Sequence, residues 1–253
     1  MAGSMGTIGL AQGGVCLGLG LIPLQPVAAL LVLGLAGLGA VRGAAPLTLL
    51  AAVAGAVVAP CVMVPWLAAA WPVPLLLGLG VAALVEQGLP WATPRWVEAG
   101  RLGREEAMLA LGFAAVAALA LAAWLALAEP DLGDLVARLP PWPWPALVGL
   151  AIVFASTNAL AEELLFRGLL FASLTREGRL PVVAAVAIQA VVFGLMHLHG
   201  FPRGAAGVVL AAIYGLMMGL VRARSGGLVA AWVCHVAVDA AIFGMLALQV
   251  PRA

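Results

Sequence analysis

The sequence predicts an all-α fold: a polytopic transmembrane helical bundle of about eight to nine membrane spans. Three observations predict it. Of the 253 residues, 65% are hydrophobic and 9% are charged, whereas a soluble domain is about one quarter charged. Mean hydropathy is +1.16. Apolar stretches of roughly 15–25 residues recur along the chain, against about 20 needed to cross hydrocarbon as a helix.

Proline, glycine and charge divide the chain into candidate helices. Pro23 and Pro26 separate 7–22 from 26–41, two short runs for which one kinked or re-entrant segment is the alternative. Arg42, Gly43 and Pro46 then introduce 46–68, and Pro72 opens 72–89. A polar stretch with Arg95, Arg101 and Arg104 precedes 106–128. The segment EPDLGDLVARLPPWPWP (129–145) is acidic and Pro-rich and reads as a loop before 146–174. Arg176, Arg179 and Pro181 precede 182–199; Gly200, Pro202 and Arg203 precede 204–221; and Arg222, Arg224 and Ser225 precede 226–249.

Net charge is +1, so no basic field points to nucleic acid, and the lipid bilayer is the expected surrounding. Cys16, Cys61 and Cys234 lie in apolar runs without C-x-x-C spacing, as small buried hydrophobes do. The N-terminus lacks a basic n-region, so its first apolar run is expected to stay as a span. All twelve cations are Arg. A cytoplasmic N-terminus in a bacterial cytoplasmic membrane puts Arg42, Arg95, Arg101, Arg104, Arg176, Arg179, Arg222 and Arg224 inside. Arg138, Arg203 and Arg252 then fall outside, a positive-inside bias. Trp91 and Trp96 on one side, and Trp142 and Trp144 on the other, stand where interfacial aromatics belong. No polar stretch is long enough to build a soluble domain.

Four charges fall inside predicted spans: Glu162, Glu163 and Arg167 in 146–174, and Asp239 in 226–249. A charge at the bilayer centre costs about 3 kcal/mol on insertion scales, so such groups face a protein interior and mark function. His197 and His235 join them. Glu163 and Arg167, four apart, share a helix face and suit a structural ion pair. Glu162 is turned by about 100° from Glu163 and is free to face something else. Asn158, one turn earlier, is placed to orient the Glu162 carboxylate. Phe193 and His197 set an apolar wall beside an imidazole, and His235 and Asp239 stack on one face. His199 reads as a loop histidine, and Glu86 as a group reaching the interface.

One carboxylate and two imidazoles from three helices support two chemistries, both of which hydrolyse an acyl bond. Glu162, His197 and His235 can ligate a divalent metal such as zinc, leaving a position for water. Alternatively Glu162 is the general base on a water held by His197, with His235 and Asp239 supporting the oxyanion. Neither G-x-S-x-G nor H-E-x-x-H is present. The rival from another class is an ion- or proton-coupled transporter subunit, with Glu162, Arg167 and Asp239 along the path.

These motifs in this order resemble the CPBP family, the CAAX-protease and bacteriocin-processing intramembrane proteases. E-E-x-x-x-R reads as Glu162, Glu163 and Arg167, followed by Gly168; F-x-x-x-H as Phe193 and His197. A Gly-rich segment ending in Arg and Ser-Gly reads as 219–227, and H-x-x-x-N/D as His235 and Asp239. The resemblance divides the chain into N-terminal transmembrane helices, 1–145, and a catalytic core of four transmembrane helices, 146–249. It implies an intramembrane endopeptidase cutting near the C-terminus or leader of a membrane-associated protein or peptide, lipidated tails and sorting tails among them. Glu162 and His197 would activate the water, and His235 with Asp239 would complete the site. Asp239 stands where prenyl-protein members usually have Asn, and an ionised Asp makes a poor oxyanion donor.

Overall fold

The computed structural model describes residues 2–64, 70–89 and 96–250. Trp91, Arg95 and Arg252, and residues 65–68 of the third predicted span, lie outside the described residues. Helices α1 (Ala2–Leu21) and α2 (Pro26–Arg42) are two separate rods that pack along each other, not one kinked segment. Small residues set their approach. A Cβ on Gly14 would lie 2.9 Å from Ala36 Cβ, and one on Gly39 would lie 3.3 Å from Ala11 Cβ. Helix–helix contact in lipid relies on such close packing, because hydrocarbon supplies no hydrophobic drive between helices.

Helix α3 (Pro46–Val58) stops ten residues short of the expected end at 68 and passes into a 3₁₀ turn, Ala59–Val62. Pro60 lies in that turn, and its ring offers no N–H to an α-helical ladder. Helix α4 (Val73–Gln87) follows, then α5 (Arg104–Ala128), whose first turn is closed by Gly103 N–H donating to Glu106 Oε2 at 3.1 Å. A single turn, Gly133–Val136, interrupts the acidic loop. Helix α6 (Trp144–Glu163) continues through π-helical turns at Leu164–Leu170 and Ser173–Glu177. Helix α7 (Val182–Met196) ends before both neighbouring histidines. Helix α8 (Gly204–Ser225) runs four residues past its expected end, to the left-handed Gly226 (φ +73°). Helix α9 (Val229–Ala247) is the last.

Among the described residues, four helices are long and apolar enough to cross a membrane by length and composition: Arg104–Ala128, Trp144–Glu177, Gly204–Ser225 and Val229–Ala247. Further apolar helices have shorter described stretches, Met5–Leu21, Pro26–Arg42, Pro46–Cys61, Val73–Gln87 and Val182–Met196, and pack among them. The exterior is itself apolar: Leu127, Leu10 and Val183 are at least 80% exposed, as suits side chains that face acyl tails. This is an integral membrane protein.

Two apolar clusters organise the interior. One joins α1–α4, α7 and the π-helical part of α6; the other joins α5, α8 and α9. Helix α6 packs against α9, and its π-helical continuation against α3, α7 and α8. The early helices are also tied to this continuation by polar bonds. Glu177 accepts from Leu47 N, Thr48 N and Thr48 Oγ1 at 2.6, 2.9 and 2.6 Å, satisfying orphan donors at the start of α3. Gln12 donates to the Ser173 carbonyl at 2.6 Å.

Charges at the two ends pair separately. Arg176 and Arg222 share Glu98, and Arg224 reaches Glu105, whereas Arg203 and Arg138 share Asp134. Trp142 and Trp144 are exposed, but Trp96 is buried and is no interfacial residue. Its indole donates at 3.0 Å to Glu86, which is thereby held by a protein partner rather than reaching out to the interface. Arg222, counted above among loop arginines, is 5% exposed; it donates to the Arg167 carbonyl and lies over the Phe171 ring.

Candidate active site

A cavity of about 1030 Å³ opens among α3–α9. Its lining is mostly apolar, but Asn158, Glu162, His197, His235 and Asp239 all face into it, together with Phe193, Trp71 and Tyr214. The structure thus brings together the carboxylates and imidazoles picked out from the sequence. Glu163 and Arg167 do not line the cavity and stand behind its wall. The rotation of adjacent helical residues produces this split between Glu162 and Glu163.

Helix α6 supplies Asn158, Glu162 and Glu163 from its last α-helical turns, and Arg167 from the π-helical turns that follow. Inserted π turns are frequent at functional sites, where they re-aim side chains within an otherwise regular helix. Glu163 is wholly buried, and its Oε1 accepts from Arg167 Nη1 at 3.0 Å and from His235 Nδ1 at 2.8 Å. The ion pair is present, and the same oxygen also holds a histidine of the cavity. Arg167 also lies 4.5 Å over the Phe193 ring and donates to the Gly215 carbonyl at 3.4 Å.

The two histidines are held alike. His197 caps the end of α7, and its Nδ1 meets the Phe193 carbonyl at 2.8 Å. A carbonyl only accepts, so Nδ1 carries the proton and Nε2 keeps its lone pair. At His235 the Nδ1 partner is a carboxylate already paired with Arg167, so this Nδ1 also donates. His235 Nε2 is the nitrogen turned to the cavity, 3.7 Å from Glu162 Oε2 and 3.6 Å from Asp239 Oδ1. The Phe193 ring neighbours both imidazoles, with its centroid 4.4 Å from that of His197 and 6.1 Å from that of His235.

Asn158 stands beside the Glu162 carboxylate, as the sequence suggested, and has two further partners. Its amide donates to Asp239 Oδ2 at 2.8 Å, and its carbonyl accepts from the Trp71 indole at 2.5 Å. The side chain reaches across to α9 because α6 and α9 pack face to face there. His199 is exposed in the turn after α7 and contacts the Pro23 carbonyl at 3.0 Å.

Among the described residues, no group of three or more His, Cys, Asp or Glu side chains is placed to hold one metal ion. His235 Nε2 is near two carboxylates, Glu162 and Asp239, while His197 packs against the Phe193 ring.

Three site neighbours went unnoticed in the sequence. Trp71 lies 87 positions from its partner Asn158, and no local pattern marks it. Tyr214, the one tyrosine of the chain, packs edge-on against His235 at 5.4 Å between centroids. Gln189 had a signal: it is an uncharged polar residue in the middle of an apolar helix. It is fully buried and donates to the Gly215 carbonyl at 2.8 Å, tying α7 to α8.

Residues 142–241 match the family model of type II CAAX prenyl endopeptidase Rce1-like proteins. The matched stretch contains Asn158, Glu162, Glu163, Arg167, Phe193, His197, His235 and Asp239, and Trp71 lies before it. No curated protein and no solved structure matches the chain.

Proposed function

We propose that this chain, which matches the Rce1-like family model over residues 142–241, is an intramembrane endopeptidase in which Glu162 activates the attacking water. Its substrate is a membrane-associated protein or peptide, cut near its C-terminus or leader. The observation that carries the reading is the convergence of Glu162, His197, His235 and Asp239 on one largely apolar cavity.

Residue chemistry divides the work. Water in an apolar pocket is a weak nucleophile until a base takes its proton as it adds to the carbonyl carbon. Glu162 faces the cavity, and its Oε2 is buried without a hydrogen-bond partner, so that oxygen is available as the base. His197 presents an Nε2 lone pair to the same space and holds the water by its second proton. As the tetrahedral intermediate forms, its negative oxygen needs preorganised donors. His235, doubly protonated, offers Nε2–H, with Nδ1–H anchored on Glu163 and Asp239 beside the ring. Glu162 then passes its proton to the leaving nitrogen as the C–N bond breaks. Each step uses groups of this chain alone, and the low-dielectric walls strengthen every charge interaction inside.

The test uses purified protein in detergent micelles and two internally quenched probes. One is a peptide ending in an S-farnesyl-cysteine CAAX sequence; the other carries an unlipidated apolar helix with a polar tail. Cleavage of either is expected, and Glu162→Gln should lower kcat by about 10²–10⁴-fold with the folded amount unchanged. A Glu162→Gln variant as active as the parent would overturn the assignment of the base. Cleavage of neither probe by the parent would overturn the peptidase reading.

A further inference from the structure

The described site depends on a residue outside the matched segment. Trp71 precedes α4, and its indole Nε1 donates to Asn158 Oδ1 at 2.5 Å. An indole N–H is a donor and nothing else, so the atom it meets must be the carbonyl oxygen of the Asn158 amide. This fixes which way the amide points, a choice that a symmetric-looking side chain otherwise leaves open. With the oxygen held by Trp71, the NH₂ end faces α9 and donates to Asp239 Oδ2 at 2.8 Å. Asp239 must then accept at Oδ2, which leaves Oδ1 as the oxygen turned to His235 Nε2. The two hydrogen bonds each allow a single donor–acceptor direction, and the chain of contacts ends 3.6 Å from the imidazole nitrogen that faces the cavity.

We propose that Trp71 is a positioning residue of the active site, locking the Asn158 amide so that Asp239 is held as an acceptor with its second oxygen on His235. The inference rests on the peptidase reading for its kinetic consequence. It also gives the helices before residue 142 a part in the chemistry: they deliver the donor that sets the polarity of the Asn158–Asp239 pair. Without that donor the amide can turn by half a rotation and set its carbonyl against Asp239, where two acceptors repel. The position matters because Asp239 is an acid. An Asn at 239 can present either N–H or C=O, and so adapts to either setting of Asn158.

The test is a double-mutant cycle of Trp71→Phe and Asp239→Asn, read on both turnover and thermal unfolding in detergent. Trp71→Phe keeps an aromatic wall and removes the donor. In the Asp239 protein it should lower kcat by about tenfold with KM within about twofold, the loss of one charge-linked hydrogen bond. It should also lower the unfolding temperature. In the Asp239→Asn background it should change kcat and unfolding by less than about twofold and by a smaller shift, respectively. Trp71→Tyr, which keeps a ring and a donor, should recover part of the loss. Equal losses in both backgrounds, or a rise in KM with unchanged kcat, would make Trp71 only a wall and overturn the proposal. Should the parent cleave neither probe, the peptidase reading fails, and the unfolding cycle still decides the Trp71–Asn158–Asp239 coupling. Absence of coupling there overturns the proposal.

Discussion

Glu162 and Glu163 are adjacent carboxylates with opposite surroundings. Glu162 faces the cavity, whereas Glu163 is fully enclosed between Arg167 and His235. Removing the arginine would strip the buried Glu163 carboxylate of one of its two partners and leave His235 alone beside it. Breaking one partner from such a pair costs about 3–5 kcal/mol. Arg167→Ala is therefore expected to lower the amount of folded protein in the membrane, read as the detergent-extractable monodisperse fraction. Because Glu163 also holds His235, residual folded Arg167→Ala protein should turn over more slowly than the parent. Normal accumulation with lost turnover would put Arg167 in the chemistry instead. This dual role of Glu163 was not legible from its spacing, because the i,i+4 rule links it to Arg167 and says nothing of a histidine 72 positions away.

At the scale of elements, the end of α8 and the start of α9 are clasped by the strand-like segment before α5. Leu228 N and Val229 N donate to the carbonyls of Glu98 and Ala99, and Arg101 N donates to that of Ser225. The backbones approach so closely that a Cβ on Gly227 would lie 2.1 Å from Gly100 N. Nothing flexible can yield there. Gly227→Ala is expected to destabilise by about 1–3 kcal/mol, visible as a lower unfolding temperature in detergent. Side chains reinforce the clasp through Glu98, whose carboxyl is partly buried, which pushes its pKa up. Its hydrogen bond and charge contact with Arg176 and Arg222 win and hold the pKa below the ordinary 4.5. A depressed folded value gives stability that is present above pH 4.5 and lost as the pH falls through the lower folded value. Acidification into that window should lower the unfolding temperature of the parent more than that of Glu98→Gln. Equal acid sensitivity in the two would remove Glu98 from the account. The Gly-rich 219–227 segment that resembles the family pattern thus has a physical reason: close backbone approach at Gly227 and a left-handed helix end at Gly226.

For the whole molecule, the question is how a polar reaction is housed among acyl chains. The exposed exterior is largely apolar, while Asn158, Glu162, His197, His235 and Asp239 gather at one cavity with walls from both the early and the late helices. The placement of its donors bears on metal dependence. No three His, Cys, Asp or Glu side chains among the described residues are set to share one ion, while Glu162 faces the cavity with Oε2 unpartnered. Purified protein stripped with a strong chelator, and shown metal-free by elemental analysis, is expected to retain cleavage of whichever probe the untreated protein cuts. Loss of cleavage that zinc restores would return the reaction to the metal-assisted alternative.

The sequence by itself determined the class of the molecule and the identity of its chemical groups. Composition excludes a watery surface, and the cost of a charge in hydrocarbon singles out Glu162, Glu163, Arg167 and Asp239 before any fold is known. Helical periodicity also separates Glu162 from Glu163, because a 100° rotation is local geometry. Lengths were less legible. The apolar run 46–68 reads as one span, but a 3₁₀ turn around Pro60 ends α3 after thirteen residues. Partners were decided by tertiary structure alone. Asn158 and Glu162 are one turn apart and meet, but the amide also bonds Asp239 and Trp71, which packing brings from 81 and 87 positions away. Trp96 was expected at an interface and is buried against Gly168 and Glu86. A side chain's periodicity follows from its own helix, but its hydrogen-bond partner depends on which other helices close around it.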